Sequence, residues 1–417
     1  MTETVSPADL DAILGSIFLT PEGKSDPYPG YAILRETTAL HHSALDLYVL
    51  ARYDDCQAVL RDNRFGRGDP HIKPELFGIT QDEFDERFPR VSERAESMLG
   101  LDLPDHTRLR SLVAKAFTPK TIEALRPRIQ LLTSELLERL DGEVDVMPEL
   151  ALKLPITVIG EMLGVPQEDH AALLPPIKIV IRSLATFEAD LDEFSENYEA
   201  SGVIDDYFKA LVANKRTHPG DDMLTDLVHA EEEGDRLTEP ELLATIMLLF
   251  VAGYETTTNL IGNGLRAFLL FPEQLERLRH ERSLIKSAIE EILRYDSPVQ
   301  LTGRAVLEDD VEIAGTPVAR GQQVLTLLGA ANRDPRTFDE PDTFDIGRVG
   351  PAPISFSAGI HYCLGAALAR LEGQIVFSTL VDRYSTIEPA WPDDQPPAYR
   401  NNLVLRGLES LPVRLLP

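Results

Sequence analysis

The run Phe356-Ser357-Ala358-Gly359-Ile360-His361-Tyr362-Cys363-Leu364-Gly365 constrains this chain more than any other stretch. It sets one cysteine between two glycines and leads into a helix-forming tail, Ala366-Ala367-Leu368-Ala369-Arg370-Leu371-Glu372. A thiolate is a strong, soft ligand for iron. Glycines on either side let the backbone approach a flat macrocycle where a Cβ would clash. The N–H groups that open the following helix can hold negative charge on sulfur and lower its pKa. Cys363 therefore reads as a metal ligand. The second cysteine, Cys56, lies in Tyr53-Asp54-Asp55-Cys56-Gln57-Ala58-Val59-Leu60, an amphipathic helical pattern without glycine, and reads as a small core residue.

A second motif, Ala252-Gly253-Tyr254-Glu255-Thr256-Thr257-Thr258, falls inside a long apolar helical run. Thr238-Glu239-Pro240-Glu241 has the form of a capping box that opens this helix. An acid and three threonines in a buried helix are locally costly. Threonine hydroxyls can bond back to i−4 carbonyls and bend a helix. Gly253 removes a side chain that would block a ligand. These features point to a helix that opens a groove for a small ligand and water. Thr257 and Thr258 read as internally satisfied, whereas Thr256 reads as functional.

With 40 basic and 69 acidic residues the net charge is −29, which argues against nucleic-acid binding. The exception is a basic island from His106 to Arg128, where Arg108, Arg110, Lys115, Lys120, Arg126 and Arg128 face one acid, Glu123. It is either a docking site for an acidic partner or a solvated helix face. Two cysteines do not make a disulfide framework, and the N-terminus lacks a signal-peptide pattern, so a cytoplasmic location is expected. The longest apolar run, Leu242 to Gly253, is far short of the ~20 residues of a membrane span, so no membrane anchor is expected.

Along the chain, Leu47-Tyr48-Val49-Leu50 is strand-like, and residues 66–104 read as a long, mobile connection. The pattern is mainly helical from about Pro104 to Tyr295 and strand-like from Val299 to Val324, with a turn at Ala314-Gly315-Thr316-Pro317. Residues 332–353 look irregular, and Leu403-Val404-Leu405 looks like a short strand.

These motifs, in this order and over nearly the whole chain, resemble the cytochrome P-450 superfamily, in its soluble bacterial form. The resemblance implies a mainly α fold with a small β region, one triangular domain over residues 1–417, and haem b as cofactor. Cys363 matches the proximal iron ligand, and Phe356, Gly359 and Gly365 of its loop match cofactor-binding positions. The sequence departs from the family at Ser357, where glycine is usual. Glu255 and Thr256 match the family's acid–alcohol pair, which relays protons toward dioxygen. His106 and Arg110, at i, i+4, match a clamp for the haem propionates, and Arg304 and His361 match two further clamps. Glu291 and Arg294 match the family's E-x-x-R helix, with Arg348 as the third, structural partner.

The implied activity is insertion of one oxygen atom from dioxygen into an apolar organic substrate by a monomer. The chain has no flavin or iron–sulfur motif of its own, so the implied electron donors are a ferredoxin and its NAD(P)H-dependent reductase. A peroxide-driven enzyme and a non-catalytic haem or gas sensor are the alternatives. Glu255 and Thr256 count against the first, and no attached output domain supports the second. Positions that match family pocket walls are Leu248, Leu249, Ala252 and Gly253 on the long helix, Val299 and Leu301, and Leu403 and Val404. All but Gly253 carry apolar side chains, and none offers a charge. Gln300 and Thr302 could contact substrate or face the backbone. The 66–104 segment and helices near Ile177–Phe187 are the expected lid.

Overall fold

The computed structural model describes residues 5–68, 73–183, 190–232, 235–392 and 394–417. The expected lid therefore falls partly outside the described residues, at 69–72 and 184–187. The chain forms two compact units. One comprises Met1–Gly66, Ile122–Leu154 and Thr256–Pro417, and the other Arg67–Thr121 and Pro155–Glu255. Helix predominates in both, and no helix among the described residues is long and apolar enough to cross a membrane.

The first unit holds the main sheets. Leu47–Leu50 is a strand and runs parallel to Gln323–Thr326, with Val49 opposite Leu325. Gln323–Thr326 also pairs antiparallel with Thr302–Val306. The turn at Ala314-Gly315 closes the hairpin of Val311–Ile313 and Thr316–Val318. Both turn residues take positive φ, 49° and 77°, as a two-residue hairpin loop requires. Cys56 is fully buried in the core beside this sheet, with Leu50, Val324 and Phe338. Burial pushes its thiol pKa well up, and its Sγ donates to the Leu50 carbonyl at 3.4 Å.

Two expectations need correction. Leu403-Val404-Leu405 is not a strand; Leu405 makes only an isolated bridge to Val299. The tail strand is Pro412–Leu416, paired with Thr386–Pro389 and Gly142–Asp145. In the second unit, residues 66–104 are not a structureless connection where they are described. They form the helices Gln81–Arg87 and Arg90–Glu93, the first opened by a Thr80–Glu83 capping box. Phe77, Phe84 and Phe88 pack with Phe194 and Tyr198 of the helix Leu191–Thr217. Arg90 and Arg94 form ion pairs with Asp206 and Asp205 on that helix. The partner aromatics lie about a hundred residues away in sequence, which hid the packing from a local reading.

The long helix runs Glu239–Leu270, 32 residues, and contributes to both units. Its start is the predicted box: Thr238 N–H donates to Glu241 Oε2 at 2.8 Å, and Glu241 N–H donates to Thr238 Oγ1 at 3.4 Å.

The first unit is locked by two buried polar networks on one helix, Ile285–Tyr295, and its C-cap Asp296. Arg294 donates to both oxygens of Glu291, at 2.7 and 2.8 Å, and Arg348 Nε lies 3.1 Å from Glu291 Oε2. At the helix end, Asp296 accepts from Arg406 Nε at 2.6 Å, from Tyr28 OH at 3.1 Å and from Tyr399 OH. Burial works to raise the Asp296 pKa, but Arg406 and the hydrogen bonds outweigh it and hold the carboxyl below its ordinary value. This second network joins the N-terminal segment, through Tyr28, to the C-terminal tail.

Removing one partner from a buried charged group costs about 3–5 kcal/mol. Arg348→Ala should therefore lower the urea midpoint substantially, since Glu291 is buried. Arg414→Ala removes only an exposed pair with Glu143 and should leave the midpoint nearly unchanged. Equal effects of the two substitutions would contradict the assigned role of Arg348.

Candidate active site

The cysteine loop lies in the first unit. Its backbone is closed by Cys363 N–H donating to the Phe356 carbonyl at 3.0 Å and Tyr362 N–H to Gly359 at 3.1 Å. Cys363 is exposed, in contrast to the buried Cys56. The helix Ala366–Arg383 begins three residues later, and its N-cap, Gly365, brings no side chain to compete for the first N–H groups. The helix start can therefore support negative charge on sulfur.

The two glycines of the loop do different work. A Cβ on Gly365 would meet nothing within 4 Å, so a flat group could approach there. Gly359 has φ +68°, and a Cβ there would lie 2.2 Å from the Leu60 carbonyl oxygen. Its smallness serves protein packing. Ser357 has φ +62°, a conformation glycine adopts freely and other residues rarely do. The departure from the family pattern thus keeps the turn and adds strain. The Ser357 hydroxyl is buried without a hydrogen-bond partner among the described residues.

Arg304 is 2% exposed on the strand Thr302–Val306. Its Nη1 donates to the Gly303 carbonyl at 2.8 Å and to Thr302 Oγ1 at 3.1 Å. His361 is half-buried at the end of the turn Gly359–His361. In the second unit, His106 and Arg110 sit one helical turn apart on Asp105–Ala114. His106 is 1% exposed and Arg110 half-buried. Arg108 of the basic island is half-buried and ion-paired with Glu241, not simply solvated. Arg126 pairs with Glu123, so part of the basic island is already neutralised. The island is also divided between the units, at Thr121 and Ile122.

On the long helix Ala252 is exposed, while Val251, Tyr254 and Glu255 are buried. Leu248, Gly253 and Thr256 are half-buried, and Leu248, Ala252 and Thr256 share a face at i, i+4, i+8; a Cβ on Gly253 would instead meet the Ile159 side chain at 3.2 Å, so this glycine serves helix packing and not a ligand groove. Leu249 is buried, as are Thr257 and Thr258. The uncovered surface is therefore a narrow apolar stripe with one hydroxyl at its end.

The remaining pocket positions divide. Val299 and Val404 are half-buried and adjacent, since Gln300 N–H donates to the Val404 carbonyl at 2.8 Å. Leu301 and Leu403 pack into a core cluster with Leu10, Leu14 and Tyr31 and are 5% and 4% exposed. Their side chains are covered by protein. Gln300 Nε2 donates to the Ser297 carbonyl at 2.7 Å, so its amide serves the fold. Asp296 and Arg406, which hold the Val299 and Val404 segments together, carried no motif; only burial in three dimensions reveals them.

Within the first unit, an exposed thiol at a helix start, open space at Gly365 and a buried arginine suit an iron chelate with carboxylate arms. The cytochrome P450 family model matches residues 187–411. Cytochrome P-450 107B1 of Saccharopolyspora erythraea is 42% identical over 402 residues, covering 93% of this chain and 95% of that one. Vitamin D(3) 25-hydroxylase of Pseudonocardia autotrophica is 38% identical over 399 residues, covering 94% of each. The structure of the bacillaene polyketide synthase cytochrome P-450 PksS of Bacillus subtilis superposes with TM-score 0.83 at 38% identity, covering 95% of this chain and 99% of that one. With this similarity along nearly its full length, the chain belongs to the cytochrome P-450 family of haem-binding monooxygenases.

Proposed function

We propose that this enzyme inserts one oxygen atom into a C–H bond of a medium to large apolar molecule, with electrons from a separate ferredoxin and its NAD(P)H-dependent reductase. We take residues 1–417 as one working haem domain, monomeric and cytoplasmic. The observation that carries the substrate class is that the incompletely buried positions matched to pocket walls, Leu248 and Ala252 on the long helix and Val299 and Val404 in the first unit, are all apolar. No charged side chain stands among these wall positions, so binding rests on apolar burial, at about 25 cal/mol per Å². Relatives named for vitamin D(3) hydroxylation and for polyketide synthesis are consistent with such substrates.

Haem, when bound, supplies the activation of dioxygen. Cys363 would hold it through sulfur, and Arg304, His361, His106 and Arg110 would hold its carboxylates. Thr256, half-buried at the end of the stripe, would keep a water and a proton at its hydroxyl. Glu255, 2% exposed, would accept and return that proton through its carboxylate. The presence of both groups favours dioxygen with external electrons over peroxide.

Thr256→Ala should retain haem and substrate binding but form less product per NADH and release more peroxide. The loss should reach up to about 10²-fold, the scale of positioned proton transfer. Unchanged coupling would remove Thr256 from the mechanism. Product should form with NADH, ferredoxin and reductase and not with peroxide alone; the reverse would favour the peroxide-driven reading. A bulky apolar azole should shift the Soret band to the red, whereas small anionic ligands should not. A response to small anions alone would overturn the apolar pocket.

A further inference from the structure

Arg370, seven residues after Cys363 on the helix Ala366–Arg383, gathers three contacts around the cysteine loop. Its Nε and Nη2 donate to the two oxygens of Glu290, at 2.5 and 3.0 Å, a bidentate fork. Its Nη1 donates to the Tyr362 hydroxyl at 3.1 Å. Its guanidinium lies 4.4 Å from the centre of the Phe356 ring, within cation–π range. Phe356 opens the loop and its carbonyl accepts the Cys363 N–H; Tyr362 immediately precedes the sulfur-bearing residue. Glu290 neighbours Glu291, the carboxylate at the centre of the buried network. One side chain thus grips both ends of the loop and ties them to the helix that locks the unit.

We propose that Arg370 is a positioning residue for the Cys363 thiolate, fixing the loop against the helix Ile285–Tyr295 and adding a permanent positive charge to it. Burial opposes that charge, but Glu290 and Tyr362 outweigh it and hold the guanidinium protonated. Lysine cannot reproduce the fork or the stacking, although it keeps the charge. The three contacts therefore separate into a charge effect and a geometric one.

The inference rests on Cys363 being the iron ligand, so Cys363→Ser serves as the control. The test uses the haem-loaded enzyme and reads two quantities: the reduction potential, and the rate at which the ferrous–CO complex loses its thiolate signature. Arg370→Met should lower the potential, because the thiolate loses a nearby cation, and should speed the decay about fivefold, the scale of a half-exposed ion pair. Arg370→Lys should keep the potential but not the slow decay. If Arg370→Met does not fold, Arg370→Lys and Tyr362→Phe carry the test, and both should decay faster at unchanged potential. Wild-type potential in a folded Arg370→Met, even with a lower Tm, would reduce Arg370 to a structural residue and overturn the proposal. Wild-type decay in both charge-keeping variants would also overturn it. If Cys363→Ser kept the thiolate signature, the ligand assignment itself would fail.

Discussion

A carboxylate that is 3% exposed, Glu291, organises the first unit. An isolated buried charge of this kind would not be tolerated, so its oxygens must be matched. They accept from Arg294, from Arg348 and from the Asp345 N–H at 2.9 Å. Arg294 then donates onward to the carbonyls of Asn332, Pro341 and Thr343, and Arg348 to those of Asp339, Glu340 and Thr343. An irregular stretch that has no ladder of its own is thereby given partners. Its far end is pinned as well: Ser355 Oγ donates to the Leu293 carbonyl at 2.6 Å, and the Ile354 N–H to Asn332 at 2.8 Å. Phe356 and the cysteine loop follow directly. The position of the sulfur is thus traced, bond by bond, to one buried carboxylate and the helix that carries it.

Much of this was legible because it is local. The Thr238–Glu241 box and the strand Leu47–Leu50 obey short-range rules, as does the Ala314-Gly315 turn. Glu291 and Arg294 share a helix face by spacing alone, whereas Arg348 was found only through the family resemblance. What stayed hidden depends on distant partners. The strand Pro412–Leu416 is defined by pairing with Gly142–Asp145, far earlier in the chain. The helices Gln81–Arg87 and Arg90–Glu93 are too short to show a period and are held by Phe194 and Tyr198. Asp296 and Arg406 fall in no motif, and their burial alone marks them as a second lock.

The candidate site carries its own local costs. Glu255 and two threonines lie buried in the long helix, and Ser357 holds a left-handed conformation with a buried hydroxyl. Such features weaken a fold unless the surroundings fix them. Here the surroundings include the Glu291 network on one side of the loop and the carbonyls of Leu60 and Phe356 on the other. Even so, not every family-matched position faces open space. Leu301 and Leu403 are core residues in this chain, which leaves Val299 and Val404 as the half-buried ones among the matched positions of the first unit.

The central claim is that Cys363, and not Cys56, holds the haem iron through its sulfur. The most direct measurement is the ferrous–CO difference spectrum of the two serine variants, prepared side by side. The account predicts that Cys363→Ser loses the thiolate signature. Cys56→Ser should keep it, because Cys56 is a fully buried core thiol bonded to the Leu50 carbonyl. Identical spectra from the two variants would contradict the account.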